Sequence, residues 1–333
     1  MGRPPAPQDT LTDPFGRRIE YVRISVTDRC DLRCSYCMPP GFRDFQVPDH
    51  WLDFGEIERL VRVFVGMGTR RIRLTGGEPL VRKGLPELAA RLAAIPGLDD
   101  LSMSTNAVRL ARQARTLRAA GIQRLNVSLD SLRPERYRQI TGGRLDKVLA
   151  GLEAAREAGF APIKINMVVM RGVNDDEIED MVRFCLDEGH TLRFIETMPV
   201  GDTGREASGR YVDLEEVRQR LARRFPLVPG VMPGGGPARY MQVAGTDLRI
   251  GFITPISRHF CATCNRVRLG ADGTLYACLG QEHNYPLGRI LREGANRAEL
   301  EAHIRRAIAL KPERHEFRER PGQIVRFMSQ TGG

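Results

Sequence analysis

Long apolar runs are missing from this sequence of 333 residues. No stretch approaches the roughly 20 positions that a bilayer-crossing helix needs, which excludes a helical membrane protein. Aromatic residues are scarce at 6%, with a single tryptophan, so the stacking platforms of a nucleic-acid binder would be sparse. A basic block is missing too, because the arginines are dispersed along the chain. The first ten residues, MGRPPAPQDT, hold no apolar stretch of the signal-peptide kind. A reducing, cytoplasmic setting is expected.

What is present is the balance of a globular protein, with 28% charged and 41% hydrophobic residues. Lys and Arg number 51 against 41 Asp and Glu, a formal charge of +10. That excess invites nucleic acid or a small polyanion as partner, although an arginine-rich composition alone explains it equally well. The seven cysteines fall as Cys30, Cys34 and Cys37, then Cys185 alone, then Cys261, Cys264 and Cys278. Two triplets and a singleton do not make a disulfide framework; clustered short spacings point to metal. Cys185, inside MVRFCLDEG, reads as a buried helical cysteine.

Residues 1–15 are Pro-rich and polar and read as a flexible leader. Strand-type segments follow at 21–26, 71–75, 101–105, 124–129, 163–169 and 192–197, separated by helix-period stretches that often end in glycine. Six strand and helix repeats predict a parallel α/β sheet, an incomplete (β/α)6 barrel of the TIM type over 16–230. Strand parity sharpens this. Val22, Ile24 and Val26 oppose Arg23, Ser25 and Thr27, and Ile72 and Leu74 oppose Arg71, Arg73 and Thr75. Strands covered by helices on both faces would be apolar throughout. One face here is polar, as in a barrel with a wet lumen; an open sheet with a solvated face is the alternative. Beyond about residue 200, GDTGREASGR reads as a loop and VPGVMPGGGPAR as a linker. Hairpin-like segments within 231–333 predict an α+β extension that carries the second cysteine triplet.

The first triplet, CDLRCSYC, follows the first strand at its carboxyl end, where barrel enzymes place their chemistry. Three thiolates can hold three irons of a four-iron cluster and leave the fourth open, whereas a structural zinc would want a fourth protein ligand. With Tyr36 before the third cysteine, this motif resembles that of the radical S-adenosylmethionine superfamily. TGGEP (75–79) agrees with it, although alone GGEP reads equally as a tight turn before a helix. The resemblance narrows to the GTP 3′,8-cyclase family of molybdenum cofactor biosynthesis through DPFGR, RISVTDRCDLRCSYCMP, IRLTGGEPLVR, MSTNA, NVSLDSL, IKINMVVMRGVND, RFIETMP, CATCNRVRL with Cys278, and the terminal GG.

That resemblance implies a radical S-adenosylmethionine lyase with two 4Fe-4S clusters. Cys30, Cys34 and Cys37 would hold the first and Cys261, Cys264 and Cys278 the second. It places Tyr36, Gly77, Ser128 and Met198 around S-adenosylmethionine, and Arg23, Arg73, Thr105, Lys164, Arg266 and Arg268 around GTP. Arg23, Arg73, Gly332 and Gly333 are implied as catalytic. It further implies an electron donor, a downstream cyclic pyranopterin monophosphate synthase and a homodimer, with neither membrane nor nucleic acid as partner. Parity supports part of this independently, since Arg23, Arg73 and Lys164 share the polar face and Arg266 and Arg268 share a face of their strand. Thr105 has the opposite parity and rests on its place at the strand end. The terminal glycines read on composition as a frayed end, and by resemblance as a tail that threads back to the site. The rival readings are a zinc-ribbon nucleic-acid protein, a radical enzyme acting on peptide or tRNA, and an iron-sulfur sensor.

Overall fold

The computed structural model describes residues 10–39, 41–42 and 50–332. The six expected strands form within one or two residues of their expected ends: β1 (Tyr21–Ser25), β2 (Arg71–Thr75), β3 (Asp100–Thr105), β4 (Arg124–Ser128), β5 (Lys164–Val168) and β6 (Thr191–Ile195). They lie side by side in chain order, all parallel. Helices between them bury apolar stripes on the outer face, and the caps are legible in the sequence. Asp53 caps Phe54–Gly66 in a reciprocal pair with Glu56, and Asn296 caps Arg297–Ala309 with Glu299 in the same way. The helix-stopping glycines Gly68, Gly121, Gly159 and Gly189 all take positive φ.

The other strands are β7 (Leu227–Gly230), β8 (Arg239–Val243), β9 (Arg249–Ile253), β10 (Arg266–Leu269), β11 (Thr274–Tyr276) and β12 (Asn284–Pro286). Both expected hairpins form, and each extends the same sheet. Strand β9 adds in parallel to β6 at one edge, and β10 adds in parallel to β1 at the other. One twelve-stranded sheet results, in the order β12-β11-β10-β1-β2-β3-β4-β5-β6-β9-β8-β7. Residues of β1, β2, β5, β6, β9 and β10 line one cavity, so the sheet curls until its distant strands face each other.

Strand parity holds. Val22, Ile24, Ile72 and Leu74 are buried in the main hydrophobic core. The polar face is enclosed as well: Ser102 is 0%, Asn126 2% and Arg193 4% exposed, which a solvated open sheet would not give.

Two segments depart from expectation. GDTGREASGR, read as a loop, contains the helix Gly201–Ser208. A Cβ on Gly204 would stand 2.5 Å from the Met198 carbonyl oxygen, so glycine lets this helix pack tightly where its low propensity would not hold it. The start of the expected linker, 228–230, joins Leu227 in an edge strand, Leu227–Gly230, that pairs antiparallel with β8. Pro229 is tolerated there because an edge strand leaves some N–H positions unpaired.

Of the leader, Leu11 and Asp13 are buried against the body, and residues 1–9 lie outside the described residues. Leu11 is buried and donates its N–H to the Met67 carbonyl. DPFGR forms a turn in which the Arg17 guanidinium pairs with the fully buried carboxylate of Asp13 at 2.5 Å. The same guanidinium donates to the carbonyls of Cys261, Pro312 and Glu313 at 2.8, 2.6 and 2.7 Å. The amino-terminal turn therefore clamps the backbone that carries the second triplet. Arg17→Ala leaves a buried carboxylate without its cation and is expected to cost about 3–5 kcal/mol of stability. A lowered urea midpoint measures it, with Arg17→Lys recovering only part of the loss because Lys lacks the planar fork.

Candidate active site

Three arginines lie in register across adjacent strands: Arg268 of β10 opposes Arg23 of β1, and Arg23 opposes Arg73 of β2. All three line the cavity inside the sheet. Arg193 joins them from β6, held by Asn166, to which it donates at 2.8 Å, and by Asn126. Burial and then the neighbouring Arg268 and Arg73 hold the Arg23 guanidinium well below its usual range. Burial, followed by Arg266 and Arg326, brings Arg268 down to about 9. Deeper in the lumen, burial and then Arg193, Arg124 and Arg73 lower Lys164 to about 7. The Arg23 Nε is buried without a partner. Buried cations that repel one another are costly, and an anion among them relieves that cost.

The same cavity is walled by Cys261, Cys264 and Cys278. Cys261 opens a single helical turn, and Cys264 ends it just before β10. Burial opposes ionisation of Cys264, but Arg266 and Lys311 outweigh it and bring the thiol down to about 6. Burial raises Cys261 and Cys278, and each is raised further by other thiols of the triplet. Lys311 is 3% exposed; its ammonium donates to the carbonyls of Ala277 and Arg266 at 2.6 and 3.0 Å and approaches the Cys264 Sγ at 3.7 Å. Sequence reasoning missed Lys311, Arg193 and Arg326. Arg193 was findable by strand parity; Lys311 and Arg326 lie in irregular chain, where no period marks a face.

The first triplet occupies the loop after β1. Burial comes first in raising its thiols, Cys30 and Cys37 to about 12 and Cys34 well above its ordinary value; Cys34 is raised next by Cys37, and Cys30 in part by the same neighbour. Tyr36 donates to Asp130 at 2.7 Å, and Asp130 also accepts from the Val168 N–H. The TGGEP loop packs on the same segment. A Cβ on Gly76 would stand 2.2 Å from the Thr27 carbonyl oxygen, and one on Gly77 2.4 Å from that of Arg29. Glycine is thus required here by packing against the cysteine loop. Glu78, fully buried, accepts from Leu80 N–H, Asn106 N–H and the Thr105 hydroxyl at 3.0, 2.6 and 2.7 Å. Burial raises it to about 7.

The carboxyl-terminal helix Met328–Thr331 links the two halves. Met328 lines the cavity, the Ser329 N–H reaches the Cys37 thiol, and Arg268 donates to the carbonyls of Thr331 and Gly332. Gly332 sits at φ +72° against Thr75. It is therefore no frayed end; Gly333 lies outside the described residues.

The structure brings Arg23, Arg73, Arg266, Arg268, Met198 and the second triplet to one cavity. It does not bring Thr105 there, because that hydroxyl is engaged by Glu78. Ser128 ends β4 and is not among the residues that line the cavity, and Lys164 lies near Arg73. Among the described residues no three His, Cys, Asp or Glu side chains close on a single ion position. Three thiols in each triplet without one shared ion position fit a multi-iron cluster, which takes one thiolate per iron, better than one tetrahedral zinc.

The fold and the first cysteine loop define a radical S-adenosylmethionine enzyme. The sequence profile of the Radical SAM superfamily matches residues 24–185, and that of Molybdenum Cofactor Synthesis C matches 190–317. The chain is 49% identical over 327 residues to the GTP 3′,8-cyclase of Ectopseudomonas mendocina, covering 97% of this chain and 98% of the relative. It is 50% identical over 326 residues to GTP 3′,8-cyclase 1 of Pseudomonas aeruginosa, covering 96% and 98%. It belongs to the GTP 3′,8-cyclase family. The crystal structure of Streptococcus suis SuiB bound to its precursor peptide shares the fold, with a TM-score of 0.60 at 15% identity over 90% of this chain and 67% of that one.

Proposed function

We propose that the chain is a radical S-adenosylmethionine enzyme that joins C3′ of the ribose to C8 of guanine in GTP. The product is (8S)-3′,8-cyclo-7,8-dihydroguanosine 5′-triphosphate, for molybdenum cofactor biosynthesis. In this reading Cys30, Cys34 and Cys37 hold a 4Fe-4S cluster, and Tyr36, Gly77, Ser128 and Met198 surround S-adenosylmethionine. When bound, that pair supplies one-electron cleavage of the sulfonium to methionine and a deoxyadenosyl radical able to abstract hydrogen.

The chain's own residues bind, orient and enclose. Cys261, Cys264 and Cys278 would hold a second cluster, which would supply a metal contact for the substrate in the cavity that these cysteines wall. Arg266, Arg268, Arg23 and Arg73 take the phosphates, whose charge offsets the mutual repulsion of the belt. Lys164 supports the substrate site through the charge of the lumen, and Thr105 supports the TGGEP loop through its bond to Glu78. Gly332 and Gly333 bring the tail to the reacting centre. The observation that supports this reading best is the single cavity shared by the second triplet and the registered arginines.

Residues 16–230 form the cofactor-binding unit and 231–333 the second-cluster unit with the tail, preceded by the leader. No helix among the described residues is long and apolar enough to cross a membrane. A cytoplasmic homodimer, fed by an electron donor and passing product to a cyclic pyranopterin monophosphate synthase, completes the proposal. Anaerobic protein given dithionite, S-adenosylmethionine and GTP is expected to release deoxyadenosine and a cyclised product of the mass of GTP. Cofactor cleavage indifferent to GTP would sink the assignment.

A further inference from the structure

Beside the first triplet the surface carries a second depression, distinct from the substrate cavity, and Cys30 forms part of its wall. Four cations also line it: Arg29, Arg82, Lys83 and Arg109. Asp31 is the one carboxylate among its lining residues, and it pairs with Arg109 at 2.9 Å. Arg29 and Lys83 are exposed, and among the described residues neither has a carboxylate partner. Arg82 donates to the carbonyls of Val26 and Leu52 at 2.8 and 2.6 Å, which leaves its positive charge in place. Trp51, the only tryptophan of the chain, lies 5.2 Å from the Arg29 guanidinium and 5.7 Å from that of Arg82.

We propose that this basic depression is the docking surface for an acidic one-electron carrier protein that reduces the first cluster. The proposal rests on the reading of Cys30 as a ligand of that cluster. The substrate cavity is lined by none of the first triplet, whereas Cys30 lines this depression. One electron leaves the carrier, which is oxidised, and enters the cluster, which is reduced; no group is transferred. The cations come from three separate chain segments around residues 29, 82 and 109. A field spread in this way suits the acidic face of a protein, which it steers into contact, with a strong dependence on salt.

The test compares two reductants in the reconstituted, full-length enzyme: photoreduced flavodoxin, an acidic protein, and dithionite, a small molecule that needs no docking surface. Reversing the two exposed cations together, Arg29→Glu with Lys83→Glu, is expected to slow flavodoxin-driven cluster reduction about tenfold or more at low salt. The steep salt dependence of the unmutated protein should flatten, while dithionite-driven deoxyadenosine formation stays at its original rate. An unchanged flavodoxin rate beside normal dithionite turnover overturns the docking surface alone. Unmutated protein that cleaves no cofactor with dithionite overturns the cluster assignment and the docking surface with it. If the reversed variant loses dithionite turnover as well, the neutral pair Arg29→Gln with Lys83→Gln decides, by showing or lacking the selective loss with flavodoxin.

Discussion

Cys264→Ser is expected to abolish cyclisation, lowering turnover by about a thousandfold or more, a barrier change of about 4 kcal/mol. GTP binding should be lost in parallel. Cys264 is the thiol that its surroundings favour most as thiolate, since Arg266 and Lys311 outweigh the burial that opposes ionisation. Serine keeps the volume but is a poor iron ligand, and it leaves the Lys311 ammonium beside a neutral hydroxyl. The loop would lose its metal while Arg17 still clamps the Cys261 carbonyl, so the fold should survive with its urea midpoint little changed. The first cluster should still cleave S-adenosylmethionine slowly, measured as deoxyadenosine released without cyclised product. Intact cyclisation would make the second cluster structural.

Gly332→Ala is expected to lower turnover by about a hundredfold or more, with S-adenosylmethionine binding retained. A Cβ on Gly332 would lie 2.2 Å from Thr75 Cγ2 and 2.6 Å from its Oγ1, and the positive φ adds strain of its own. Thr75 ends β2 and opens the TGGEP loop, so it has no freedom to retreat. The tail would leave its seat, and Arg268 would lose the carbonyls of Thr331 and Gly332. Single-turnover rates with saturating GTP measure the effect, and thermal unfolding checks that the body is intact. Gly333→Ala with full turnover would limit the tail's role to Gly332 and the residues before it.

Strand positions, helix stops and the polar lumen were legible because each is written locally, in a period of two, a terminal glycine or a cap. Arg23 and Arg73 could be assigned to the lumen by parity alone. Their alignment with Arg268 could not, because β10 joins β1 across more than two hundred residues of chain and only the paired backbone reveals it. The same long-range pairing turned two local hairpins into both edges of one sheet. Gly77 was read from its place in the motif, but the carbonyls of Asp28 and Arg29 supply a packing reason for glycine that no local pattern encodes. Thr105 had the wrong parity for the lumen, and its bond to Glu78 is the physical counterpart of that mismatch. The helix Gly201–Ser208 was missed because its glycines argue for a loop, while contacts with Met198 and with the Ile324 carbonyl make it a seat for the tail.

In the proposed function one cavity holds a second iron-sulfur cluster and GTP together. Iron and GTP should therefore be counted on the same anaerobically reconstituted protein, beside its Cys264→Ser variant. About eight irons and one bound GTP per chain are expected from two four-iron clusters, with GTP binding lost in the variant. About four irons per chain with GTP still bound would contradict the account.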